Sequence, residues 1–342
     1  MYPINSYHKT FTILTISLVL IFILNISLGS VFIPFKQTLL ALLNENTKND
    51  AWKTIILNYR LPKAITAILV GSGLSISGLL MQTLFRNPLA GPFVLGISSG
   101  ASLGVAILIL GASFIGVNIT AFAYTNWGLA IAASLGAFLV LSAVLLAAIK
   151  VRNTMSILII GLMFGSLTAA VISVLAYFSS ANQLQQYLFW SFGSLGNLTW
   201  HEISTFFVIF LIGLLLVTFI IKPLNSLLLG ENYAKSMGVN IKLTRNITLI
   251  STSLLTGVIT AFSGPIAFIG LAVPHLTKLL FKTSNHKTLI PAVAISGAII
   301  MLICDSIAQL PNSEYTLPIN AITSLFGAPI IIWLLIRKRK IY

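Results

Sequence analysis

Charge is what this sequence has least of. Only 8% of its 342 residues are Asp, Glu, Lys or Arg, against about 25% in an ordinary soluble domain, and long polar stretches are missing with them. At about 20 apolar residues per helical crossing, the chain has length for roughly ten spans and none left for a soluble domain of ordinary size. A fused kinase, ATPase or DNA-binding module is thereby excluded. Acids are the scarcest charge, 6 against 20 Lys and Arg, and they are scattered. His8, His201, His275 and His286 lie far apart, and no H-E-x-x-H occurs, so neither a two-carboxylate enzyme nor a metal centre finds support. No G-x-x-x-x-G-K-[ST] is present either, which removes the P-loop as a means of holding ATP. The one cysteine, Cys304, sits in an apolar run and rules out an intramolecular disulfide framework.

What is present is hydrophobic, 57% of residues with a mean hydropathy of +1.00. Apolar runs predict helices near 11–31, 61–83, 93–113, 127–149, 155–178, 202–221, 246–262, 266–282, 289–308 and 318–336, an all-α polytopic membrane protein. The formal charge of +14 would suggest nucleic acid in a soluble chain. Here the cations fill short gaps between apolar runs, which is an orientation signal, and no nucleic-acid partner is expected. Fifteen of the 20 fall on the side of the N-terminus, and an even number of spans then puts both termini in the cytoplasm. The run from Arg337 to Lys340 reads as an anchor among lipid headgroups. Three connections, 32–60, 179–201 and 223–245, are long enough for short surface helices.

The second and third runs are rich in small residues, Gly71, Ser72, Gly73, Ser75, Ser77 and Gly78, then Gly96, Ser98, Ser99, Gly100, Ser102 and Gly104. Such residues let helix backbones approach closely in lipid. Asp305, near the end of the ninth run, is the one acid expected within a span, and its position predicts a carboxylate that reaches water at the outer interface. An ion-coupled carrier, which buries ionisable groups within its spans, is correspondingly weakly supported.

Four stretches carry more. Arg60-Leu61-Pro62-Lys63 opens the second run, with proline at an early helical position and two cations facing outward. They serve either as an interfacial anchor or as a dock for an acidic partner. Gly78 to Pro92 contains Arg86-Asn87-Pro88-Leu89-Ala90, a tight turn in which Pro88 and Pro92 stop the helix. Gly230 to Asn240 lies in the longest cytoplasmic connection. Glu231 suits a helix N-terminus, Gly238 a left-handed close, and Tyr233, Ala234 and Met237 are expected on one face. So short a helix is marginal alone, and a groove on a cytoplasmic partner is favoured over the membrane surface as its support. The fourth stretch pairs Ser263 to His275 with Leu317 to Pro329; His275 reads as a packing residue.

In this order the stretches closely resemble the FecCD-type permease family, the membrane subunits of ABC importers for iron-siderophores, haem and vitamin B12. The resemblance covers nearly the whole chain. It implies a single ten-helix permease domain over residues 1–342 in the bacterial inner membrane, non-catalytic and without cofactor, forming a homodimer or close heterodimer with the path at the subunit interface. Cytoplasmic ATPase subunits and an extracytoplasmic binding protein are the implied partners, with membrane lipid around it. By position, Arg60 and Lys63 correspond to the cations that meet the binding protein, although Lys63 stands where arginine is common. Asn87 and Leu89 correspond to the cytoplasmic gate. Gly230, Glu231, Tyr233, Ala234, Met237 and Gly238 correspond to the coupling helix, and Gly161, Gly165, Thr168, Asn320, Thr323 and Ser324 to the path lining. Family frequency makes a ferric siderophore the first choice of cargo, ahead of haem and cobalamin.

Overall fold

The computed structural model describes residues 4–111, 125–149, 154–310, 313 and 315–338. Among these all the regular secondary structure is helical: α1 (Ile4–Ser27), α2 (Phe35–Leu42), α3 (Asp50–Ile55), α4 (Leu61–Leu84), α5 (Ile97–Ile109), α6 (Asn126–Ile149), α7 (Thr154–Phe178), α8 (Ala181–Ser191), α9 (Trp200–Leu227), α10 (Glu231–Ser236), α11 (Ile241–Ser263), α12 (Ile269–Phe281), α13 (His286–Ala308) and α14 (Ile319–Lys338). Seven helical stretches are long and apolar enough to cross a membrane, and α5, α12 and α14 are shorter apolar helices. Each of the ten apolar runs contains a helix, and α2, α3, α8 and α10 fall in the three connections expected to hold short ones. Lys150, Arg152, Arg339 and Lys340 lie outside the described residues.

The boundaries at α4 and α5 differ from expectation for local reasons. Pro62 does not open a helix. The turn Ile56–Arg60 is a π-helix that joins α3 to α4, and the helical stretch Asp50–Leu84 is 35 residues long. A wide π turn gives room just ahead of a proline, whose ring crowds the preceding turn and whose nitrogen donates nothing. α5 starts at Ile97 because Pro92–Leu95 forms a 3₁₀ turn that ends at Gly96 with φ +75°.

The chain divides into two compact units, one of Met1–Leu79, Ser194–Thr205 and Ala267–Tyr342, the other of Leu80–Gly193 and Phe206–Ile266. In the first, α1 packs on α13, and α12, α13 and α14 pack on one another. α4 comes so near that a Cβ on Gly71 would strike the Gly297 carbonyl and one on Gly78 the Gly270 carbonyl. The Ser72 hydroxyl donates to the Ala294 carbonyl at 2.9 Å. Between helices in lipid no hydrophobic drive operates, so close packing of this kind is what holds them. In the second unit α5 lies on α6, where a Cβ on Gly100 would sit 2.6 Å from the Gly136 carbonyl oxygen. α7 and α11 pack on this pair, and Phe206 stacks on Phe262 with ring centroids 6.0 Å apart.

Candidate functional site

Three groups of residues carry polar or exposed features that helix packing alone does not require. The first is at the head of α4. Lys63 Nζ lies 3.1 Å from Asp305 Oδ1, and the other carboxylate oxygen accepts from Asn25 Nδ2 at 2.9 Å and from Gln309 Nε2 at 2.7 Å. Asp305 is only 2% exposed, so it does not reach water as its sequence position suggested. Neutralisation by Lys63 and two amide donors replaces the lost hydration. Arg60 Nη1 donates to the carbonyls of Ile26 at 2.9 Å and Ser27 at 3.0 Å, while Nη2 donates to that of Val31. The guanidinium thus closes the C-terminal end of α1, where unpaired carbonyls and the negative end of the helix dipole favour a cation. Arg60 and Lys63 are therefore partnered within the chain and are not free outward charges. Together with Tyr59, Gly196 and Gln309 they line a pocket of about 320 Å³.

The second group is cytoplasmic in the expected orientation. After α4, Asn87 Oδ1 accepts from the Leu89 amide at 2.9 Å, and the Ala90 amide donates to the Asn87 carbonyl at 3.0 Å. Phe85 and Ala90 are buried on either side while Leu89 is exposed, so the turn is anchored at both ends and presents its leucine. α10 begins after Gly230, with φ +120°, and closes at Gly238, with φ +82°; the Gly238 amide donates to the Lys235 carbonyl at 2.9 Å. Here the expected shared face divides. Ala234 is fully buried, whereas Tyr233 and Met237 are 55% and 57% exposed. Neighbours on a helix point about 100° apart, so Ala234 turns toward its own chain, where α10 packs on α11. A bulky residue at 234 would disturb that packing, and Tyr233 and Met237 are the pair that points outward.

The third group is the expected path lining. On α7, Gly161 and Thr168 are buried, and the Thr168 hydroxyl donates back to the Gly165 carbonyl at 2.8 Å. On α14, Thr323 is buried, and its hydroxyl and that of Ser324 both donate to the Asn320 carbonyl, at 3.1 Å and 2.6 Å. Asn320 Oδ1 accepts from the Ala267 amide at 3.0 Å, which joins the two halves of the fourth sequence stretch. Residues that line a path between two copies of a chain have to be exposed in one copy. Gly161, Thr168 and Thr323 are not, while Leu162, Met163 and Leu167 of α7 and Leu325 and Phe326 of α14 are. Short hydroxylated side chains in a helix satisfy themselves on the preceding turn, and their presence in the sequence does not mark a polar surface.

The family model described as the FecCD transport family matches residues 17–337. The chain belongs to the FecCD transport family. A vitamin B12 import system permease protein, BtuC, of Salmonella typhi is 36% identical over 283 residues, 82% of this chain and 83% of that protein. The solved structure of an inward-facing conformation of a putative metal-chelate type ABC transporter superposes with a TM-score of 0.81 at 30% identity, covering 96% of this chain and 99% of its own. A weaker likeness, TM-score 0.55 at 18% identity, to PsaBC from Streptococcus pneumoniae in complex with Fab concerns the fold alone. As a FecCD permease the chain is a non-catalytic, multi-pass subunit of the inner membrane. Membership implies a separate ATPase and an extracytoplasmic binding protein as partners.

What sequence reasoning missed at the site is Asp305 as the partner of Lys63. An acid inside an apolar run requires a cation, and that rule points to the pairing without saying which cation supplies it.

Proposed function

We propose that this FecCD permease carries cobalamin, as half of a homodimer whose ATP is hydrolysed by separate subunits. The observation that supports the cargo is the similarity to BtuC over four fifths of both chains, which favours cobalamin over the ferric siderophore first expected. In this reading ten helices cross the membrane with both termini cytoplasmic, and the two compact units act as one permease domain. Arg60 and Lys63 meet the binding protein. Because Asp305 already holds Lys63, an incoming carboxylate replaces a bond rather than adding one. Asn87 and Leu89 form the inner gate. Tyr233 and Met237 seat α10 on the ATPase, with Gly230, Glu231 and Gly238 shaping the helix and Ala234 fixing it to the permease. Gly165, Asn320 and Ser324 keep their assignment beside the path, which the exposed residues of α7 and α14 complete. Movement of whole helices about the gate then transmits the ATPase cycle.

The test is uptake into proteoliposomes holding permease, ATPase and binding protein, supplied in turn with cobalamin, a ferric hydroxamate and haem. ATP-dependent accumulation of cobalamin alone is expected. Accumulation of the ferric complex without cobalamin would return the siderophore to first place.

A further inference from the structure

We propose that Arg86 is a positioning residue that carries the movement of α10 to the gate turn at 87–90. The inference rests on the gate and coupling assignments made above. Arg86 follows the last turn of α4 and directly precedes Asn87. Its backbone has φ +48°, a left-handed conformation that residues with a Cβ adopt only when their surroundings hold them there.

Arg86 Nη2 donates to the carbonyl of Leu227 at 2.9 Å across 141 residues of sequence. Leu227 is the last residue of α9, and its carbonyl also accepts from the Gly230 amide at 3.1 Å. A C-terminal helix carbonyl lacks an intrahelical donor and sits at the negative end of the dipole, so a guanidinium bond there is charge-assisted and directional. A Cβ built on Gly230 would lie 3.6 Å from the same Nη2. The head of Arg86 thus covers the joint between α9 and α10, while its backbone is one peptide from Asn87. From Asn87 the path continues through the side-chain bond that fixes the Leu89 amide.

These contacts form a chain from α10 to the exposed gate leucine, made of one joint, one guanidinium and one turn. Displacing the joint displaces the arginine, and the strained residue passes that displacement to the turn. If Arg86 only closed the end of α9, its loss would lower thermal stability but leave the gate responsive to nucleotide. The two roles predict different readings.

The experiment uses the complete importer in nanodiscs. Cys304 is the only native cysteine and is buried, so Cys304→Ala gives a background in which Lys235 and Leu89, both exposed, are changed to cysteine and spin-labelled one at a time. With Arg86 present, ATP is expected to alter the spectra at both positions. In Arg86→Ala the label at 235 should still respond and the label at 89 should not, with uptake about tenfold lower, the scale of a typical coupling between sites. Arg86→Lys, which keeps a charged donor, should recover part of both losses, and Arg86→Gln provides a second uncharged variant of more nearly native length. A label at 89 that responds fully in both uncharged variants overturns the proposal. A label at 235 that ignores ATP with Arg86 present overturns the coupling assignment itself, and the two failures are told apart by which label is silent.

Discussion

At the head of α4 the polar groups are spent, with Arg60 bonded to backbone carbonyls and Lys63 resting on Asp305; at α10 the apolar groups are unspent, with Tyr233 and Met237 open around a buried Ala234. Both regions are assigned to docking, yet they suit different kinds of partner. A partner at the first has to exchange one ionic contact for another, which gives selectivity and salt dependence with little net affinity. A partner at the second covers apolar surface that has no competing bond, which gives affinity directly. The sign of the surface charge, read from sequence, shows neither distinction.

The strongest way to break the comparison is Asp305→Asn. Asp305 is buried but Lys63 keeps 21% of its side chain exposed, so removing the acid leaves a partly solvated charge and costs about 2–3 kcal/mol, less than breaking a fully buried pair. The purified permease should therefore unfold at a clearly lower temperature, and adding Lys63→Met should recover most of the loss. A melting curve like that of the parent would mean that the pair does not hold this end together. Next in size is Tyr233→Ala with Met237→Ala. Each truncation should lower affinity for the ATPase by about 2 kcal/mol if these are anchoring residues, while stability stays unchanged. Titration of the ATPase into permease nanodiscs reads this, and an unaltered Kd would assign the pair to the membrane surface. The smallest effect is expected at Lys235, exposed in the last turn of α10. Lys235→Ala should change ATPase affinity by no more than about 0.5 kcal/mol, the usual range for an exposed position. A larger loss would show that charge, and not the apolar pair, makes the contact.

Much of the helix inventory was legible because each span needs a long apolar run, and composition displays such a run directly. The helix starts were less so. α12 begins at Ile269 rather than 266 because Phe268 takes a left-handed φ of +66°, a conformation that a phenylalanine does not advertise. At the site, local chemistry was readable and long-range chemistry was not. Gly238 closes α10 as its position predicted, since the turn is decided within a few residues. The pairing of Lys63 with Asp305 depends on helices that meet only in the fold. Likewise, which side of α10 faces its own chain is decided by α11, and a period of i, i+3, i+4 gives a face without saying what it packs against.

The continuous helical stretch from Asp50 to Leu84 has 35 residues. At 1.5 Å per residue it measures about 52 Å, some 20 Å more than the hydrocarbon layer of a typical bilayer. One end must stand clear of the lipid, or the rod must lean. Asp50, Lys53 and Arg60 gather at its N-terminal end, which closes with the π turn at Ile56–Arg60. In a thinner bilayer a helical stretch of this length protrudes further or leans more, and Arg60 and Lys63 move with it.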